Sequence, residues 1–294
     1  MAILLLLTSC TQPVVDYPSA NQDGRVRFLV LHFTDENFRH SLEILTQPGK
    51  NPVSAHYLVA RAGESGSGPA VLRLVEEAQR AWHAGASRWQ GRDHLNDQSI
   101  GIEIVYESHC PREPMRLAET SPWDAEAHCP YPDYPSDQID VVITLCKEIL
   151  ARHPQIDASR VIGHSDVQPE NKTDPGPKFP WHQLSAAGVG AWFDDADVSH
   201  YRAYFAAHPP SIALMQEALA AYGYGVEPSG SIDRRTRDVL FAFQSHFLPD
   251  HRTGAIDADN AATLFALLAK YRVEEFGQLR ERYPDLPASS HTMQ

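Results

Sequence analysis

Basic side chains are scarce in this chain. Against 38 Asp and Glu there are 25 Lys and Arg, a formal net charge of −13, and no segment gathers them into the basic stripe that a nucleic-acid backbone requires. Nucleic acid is therefore not an expected partner. Cysteine is thin as well: Cys10, Cys110, Cys129 and Cys146 form no CxxC pair, so neither a zinc knuckle nor a thioredoxin-type redox motif is supported. Long apolar runs are missing too. The N-terminal ILLLL falls far short of the roughly 20 residues that cross a bilayer. The acidity does not exclude a substrate with carboxylates of its own, because local groups outweigh distant charges that salt screens beyond about 8 Å.

What is present is length and apolar content. The chain has 294 residues, 43% of them hydrophobic, enough for a full core and more than a typical single domain, so two domains are expected. The segment ILLLLTSC, ending at Cys10, resembles the lipobox of a bacterial lipoprotein, which implies a lipidated Cys10 as the new N-terminus. The basic n-region of a signal peptide is missing, so the expected translation start lies upstream. Export would place the chain in an oxidising compartment. There Cys110 and Cys129, bracketing CPREPMRLAETSPWDAEAHC, become a candidate disulfide that would stabilise by about 3 kcal/mol in the chain-entropy model; two free thiols are the alternative. Cys146 falls on the apolar face of a helical pattern and reads as an inert core residue.

Residues 1–24 read as a lipoprotein signal remnant and tether. VRFLVLHF (26–33) is a buried-strand run that ends near His32, and the polar TDEN after it opens a helix carrying Phe38, Leu42 and Leu45. SAHYLVA and AVLRLV are two further strands around a glycine-rich turn. SIGIEIVYE (99–107) alternates, with Ile100, Ile102 and Ile104 on one face and Gly101, Glu103 and Val105 on the other. SDQIDVVITLCKEILARH (136–153) has a serine cap and the apolar spacing of one buried helix face, and RVIGH is another short strand ending in histidine. The mixture predicts an α/β fold, a mixed central sheet covered by helices, over 25–200. Three amphipathic helices follow within 207–272, at Ser211 to Tyr222, Asp233 to Phe247 and Asp257 to Tyr271, a small helical domain. Residues 273–294 read as a C-terminal tail.

The chemistry concentrates in GHSDVQPENKTDPGPKFPW (163–181). His32 and His164 each end a strand, so both imidazoles project from one sheet edge. Asp174 follows on a loop stiffened by Pro169, Pro175, Pro177 and Pro180, which lowers the entropy lost when the loop is fixed. Two imidazoles and a carboxylate are a normal catalytic zinc set with a fourth position left for water. The expected cofactor is one Zn²⁺ ion on His32, His164 and Asp174.

LVLHFT, SAHYLV, AWHAG, NDQSIGIEI, VIGHSDVQPENKTDPGPKFPW and GAW follow one another in the order found in zinc-dependent N-acetylmuramoyl-L-alanine amidases of the amidase-2, peptidoglycan-recognition superfamily, which residues 26–193 resemble. The helical segment with GYGVEPSGSIDRRTRDVLFAFQSHF is similar, more loosely, to a peptidoglycan-binding domain. The resemblance implies the same three metal ligands, catalytic roles for Glu103 and Lys172, and a groove lined by Trp82, His83 and Ala84. Arg92 and Asn96 are further candidates, for holding stem-peptide carboxylates, since an arginine fork pairs with carboxylate oxygens. His94 stands where relatives often carry arginine, and the insertion before Cys129 is longer than the family pattern. Peptidoglycan and muropeptides are the implied partners, and an outer-membrane-anchored periplasmic lipoprotein the implied location. A non-catalytic peptidoglycan-binding protein and a zinc peptidase of the stem peptide are the alternatives.

Overall fold

The computed structural model describes residues 15–109 and 129–289. Cys10 and Cys110 lie outside these residues, and with them the lipidation and disulfide expectations. Among the described residues no helix is long and apolar enough to cross a membrane.

Strand β1 (Phe28–Phe33) is apolar on both faces apart from His32, and it occupies the sheet interior, as a strand buried on both sides must. The sheet has five strands in the order β3 (Val71–Arg73), β2 (Tyr57–Val59), β6 (Ser99–Ile104), β1 and β7 (Val161–Gly163). All neighbours run parallel except the β2–β3 pair, so the mixed sheet is as expected. A short ribbon, β4 (Arg88–Trp89) with β5 (Arg92–Asp93), stands apart. The register that matters sets His32 directly opposite Glu103 on the adjacent strand. Both sit one residue from the carboxyl ends of parallel strands, where open α/β sheets commonly place ligands.

Helix α1 (Phe38–Thr46) starts at Asn37, whose side chain accepts from His40 N at 3.1 Å. Helix α2 (Ser136–Arg152) buries Ile139, Val142, Cys146 and Ile149 against Leu31, Ile100, Ile102 and other residues of one sheet face. Each such side chain contributes about 1.5–3 kcal/mol. The expected serine cap is corrected: Pro135 holds the cap position and Ser136 is the first helical residue. The helix start is fixed by Gln138 instead, whose amide donates to the carbonyls of Val59 and Val105 at 3.2 and 3.0 Å.

Near the helix end, Glu77 accepts from Tyr57 Oη at 2.6 Å, Arg152 Nη2 at 2.7 Å and His153 Nε2 at 2.7 Å. Burial works against this carboxylate, but its donors, Arg152 foremost, hold it down at about 2. A depressed folded pKa gives stability that is present above the unfolded value near 4.5 and lost as pH falls toward 2. Glu77→Gln should therefore cost about 1–2 kcal/mol at neutral pH, and the gap to the parent in urea denaturation should close between pH 4.5 and 2.

The helical part is larger than the sequence pattern suggests. After α3 (His164–Val167) and α4 (Trp181–Ala186) come α5 (Asp195–Ala207), α6 (Ile212–Tyr222), α7 (Arg234–Phe247), α8 (Ala258–Tyr271) and α9 (Val273–Arg282). The three expected helices are α6, α7 and α8, opened by Ser211, Asp233 and Asp257, each accepting a backbone N–H of the first turn. Helix α5 bridges the 200/207 boundary and packs Phe205 on Phe265 of α8, with ring centroids 4.9 Å apart. The tail assignment for 273–294 is corrected over 273–282, where α9 buries Phe276 and Leu279. Helix α9 buries only Phe276 and Leu279 among five charged residues, and α5 includes a buried Asp197 beside Val198, Tyr201 and Phe205, which leaves little periodicity to read.

Candidate metal centre

Three lone-pair atoms converge at the end of the sheet. His32 Nδ1 lies 2.9 Å from His164 Nδ1 and 3.0 Å from Asp174 Oδ2, and the remaining edge, His164 Nδ1 to Asp174 Oδ2, is 3.1 Å. All three residues are buried. Their triangle is close to one face of a tetrahedron around an ion with ligand bonds of about 2.0–2.1 Å, whose edges are about 3.3 Å. Three acceptors at this spacing repel one another unless a cation or proton lies among them, so the donor set fits a metal ion.

Each ligand reaches the triangle by a different route. His32 comes from inside β1, whose register is fixed by pairing on both sides. His164 does not end its strand as expected but begins α3, directly after β7. Asp174 lies on the proline-rich loop, which returns to α3 through a hydrogen bond from Ser165 N to the Asp174 carbonyl at 2.9 Å. That contact binds the two ligand-bearing segments into one unit. The Asp174 carboxyl is held well below the usual carboxylate range, its burial outweighed chiefly by its interaction with His164.

A chain of hydrogen bonds fixes which nitrogen of His32 is free. Ser99 Oγ donates to the Leu95 carbonyl at 2.7 Å, so toward His83 Nε2, 3.1 Å away, it acts as acceptor. A neutral His83 that donates from Nε2 accepts at Nδ1, where His32 Nε2 approaches to 2.9 Å. His32 thus donates from Nε2 and presents a bare Nδ1 to the centre. Burial lowers both imidazoles, His32 down to about 4 and His83 well below its ordinary value, so both are neutral near pH 7. The His83 ring packs edge-on against His32, with centroids 5.1 Å apart, and also reaches the pocket beside the centre. Gly101 makes room for it, since a Cβ there would meet the His83 ring at 2.4 Å. Outer partners of this kind are worth about 10–100-fold in metal affinity. His83→Phe should lower zinc affinity by that factor in a chelator competition, while the protein stays folded by circular dichroism.

Beside the triangle is a pocket of about 170 Å³ whose lining includes Trp82, His83, Glu103 and Lys172 together with the ligands His164 and Asp174. It holds the groups around one reacting bond rather than a whole muropeptide. The Glu103 side chain is half-buried, and its buried Oε2 has no hydrogen-bond partner among the described residues. Burial first, and the neighbouring Asp174 charge second, raise the Glu103 carboxyl well above the usual range, with Lys172 opposing. Lys172 is half-buried on the turn after α3, its N–H bonded to the Gln168 carbonyl at 3.0 Å. Both residues expected to be catalytic therefore face the pocket.

The expected substrate contacts fare unevenly. Trp82 lines the pocket and is 49% exposed. Ala84 is fully buried in the core, and Asn96 Oδ1 accepts from the N–H groups of His83 and Ala84 at 3.0 and 2.8 Å, bracketing the turn that carries them. Arg92 is exposed on β5, away from the pocket, and bonds Gln98 at 2.7 Å. Ala84 and Asn96 thus build the turn that carries Trp82 and His83, while Arg92 is a surface residue outside this pocket. Ser99 is the residue that sequence reasoning missed: it lies on the Gly101 face of the alternating strand, the face that meets His83.

A family model described as N-acetylmuramoyl-L-alanine amidase matches residues 22–177. The amidase AmiD of Escherichia coli (strain K12) is 41% identical over 251 residues, 84% of each chain. Among solved structures, AmpDh3 from Pseudomonas aeruginosa in complex with anhydromuramic pentapeptide superposes with a TM-score of 0.78 and 39% identity, covering 89% of this chain and all of that one. E. coli AmiD with its substrate anhydro-N-acetylmuramic acid-L-Ala-D-gamma-Glu-L-Lys gives a TM-score of 0.73 at 36% identity, over 87% of this chain and 93% of that one. With the sheet, the buried His-His-Asp triangle and these likenesses in agreement, the chain belongs to the Amidase_2 family of N-acetylmuramoyl-L-alanine amidases.

Proposed function

We infer that this chain hydrolyses the amide between N-acetylmuramic acid, or its anhydro form, and L-Ala of the peptidoglycan stem peptide. The observation that carries the inference is the buried triangle of His32, His164 and Asp174 beside Glu103, in a chain 41% identical to AmiD. Zinc suits two imidazoles and a carboxylate. When bound there it supplies Lewis acidity, acidifying water toward a pKa of about 7 and polarising a carbonyl. Glu103 takes the proton of the attacking water and returns it to the departing L-Ala nitrogen; its raised basicity, a consequence of burial, suits both transfers. Lys172, on the same pocket, stabilises the oxygen that becomes negative in the tetrahedral intermediate. Trp82 offers an exposed apolar face beside the scissile bond.

A peptidoglycan substrate and the likeness to AmiD support a cell-envelope location. A lipidated Cys10 as anchor to the outer membrane, a Cys110–Cys129 disulfide and a wall-binding role for the helical domain complete the proposal. Lipid and wall contacts would act by raising effective concentration on a polymeric substrate. The test is digestion of purified sacculi and of anhydromuropeptides, with mass analysis of the products. Free L-Ala N-termini and unsubstituted muramic acid are expected. Cleavage inside the stem peptide would make the protein a peptidase instead, and no products would make it a binder.

A further inference from the structure

Two side chains of the helical part reach the turn that bears His164. Asp166, in α3 two residues after His164, is a carboxylate with 1% exposure. It accepts three hydrogen bonds: Gly163 N at 2.8 Å and His246 Nδ1 at 2.8 Å on Oδ2, and Tyr224 Oη at 2.7 Å on Oδ1. The first is local and closes the turn on which His164 sits. The other two come from the helical part, Tyr224 from just after α6 and His246 from α7. A buried carboxylate stays in place only when its lone pairs are matched by donors, so two of the three groups that seat Asp166 are supplied from outside the sheet domain.

The surrounding packing makes this a rigid link. His246 stacks on Trp181, the first residue of α4, with ring centroids 3.8 Å apart and planes 15° from parallel. Glu170, on the loop between His164 and Asp174, forms an ion pair with Arg235 of α7. Gly163 and the Asp174 loop are in such contact that a Cβ on Gly163 would meet Pro175 Cδ at 2.7 Å. A shift of Asp166 therefore moves the start of α3, and with it His164, against the loop bearing Asp174.

We propose that His246 and Tyr224 are positioning residues for the metal centre, acting through Asp166 on His164, so that the helical domain is part of the catalytic scaffold. The inference rests on the metal reading given above. The experiment uses the full chain with His246→Phe, which keeps the aromatic stack but removes the donor, with Tyr224→Phe, and with His246→Gln, which retains a donor. Zinc affinity is read by chelator competition, kcat and KM on a muropeptide, and Tm on the zinc-free protein. Each Phe variant should lose about tenfold in zinc affinity, at the low end for outer partners, and lose kcat with little change in KM; His246→Gln should recover most of both. Zinc affinity and kcat within twofold of the parent in both Phe variants would overturn the proposal, even with a lowered Tm, because a packing role alone produces that pattern. A parent chain that binds no zinc would instead overturn the metal reading itself. If one Phe variant fails to fold, the other decides.

Discussion

Glu103→Gln is expected to lose about 10²–10⁴-fold in turnover, the range over which a positioned general acid–base contributes, and to bind zinc as tightly as the parent. The separation follows from the geometry. Glu103 lies opposite His32 in the sheet register but is not one of the three converging ligand atoms, so its amide replacement leaves the triangle intact and removes only the proton acceptor. A second expectation has the opposite sign. The Glu103 carboxyl titrates above its ordinary range because its Oε2 is buried and unpartnered among the described residues. A raised folded pKa means that the group's contribution to stability is lost as pH rises through that value, so near neutrality the ionised form is a burden. The inactive variant should therefore be at least as stable as the parent, by up to about 1–3 kcal/mol, the cost of one unsatisfied buried group. Stability stored against activity in this way is common at catalytic sites. Metal content, single-turnover rate and urea midpoint, measured on one preparation, check all three statements. A zinc-replete Glu103→Gln protein with near-parental turnover would remove Glu103 from the mechanism.

The parts of this fold that were legible in the sequence are those where one local signal suffices. Alternation in SIGIEI placed Glu103 and Gly101 on the face opposite the isoleucines, and the capping residues Ser211, Asp233 and Asp257 fixed three helix starts to the residue. The metal triad was legible because the strand end at His32, the short strand just before His164 and a proline-stiffened loop are themselves local features. Tertiary contacts were not. His83 sits in a motif that suggests a groove wall, yet its role is decided by His32 and Ser99, which flank it at 51 and 16 residues' separation. Arg92 and Asn96 share a polar loop, but one points to solvent and the other turns inward to hold two backbone N–H groups. Nothing in the spacing of a loop distinguishes those outcomes. Helix α9 escaped for an energetic reason: it is held by Phe276 and Leu279 packing on the α8 side of the helical core, not by a periodic face of its own.

The triangle itself carries the other large expectation. Removing Asp174, as in Asp174→Ala, should cost more than the roughly 10–100-fold in metal affinity assigned to outer partners, because it deletes one ligand and the negative charge that offsets the ion. Turnover should fall with the metal. The two remaining imidazoles would then face a small apolar gap in place of the carboxylate, and His32 Nδ1 and His164 Nδ1 would lose their common neighbour. The clearest readout is thermal rather than kinetic. A ligand present at 100 times its Kd stabilises the native state by about 2.7 kcal/mol, which for a chain of this size raises Tm by roughly 5 °C. The parent should show that rise on titration with zinc and lose it with a chelator, in step with amidase activity, whereas Asp174→Ala should show neither at the same zinc concentration. Parental turnover that survives complete removal of the ion would mean that the three converging side chains serve the fold and that the hydrolytic chemistry lies elsewhere.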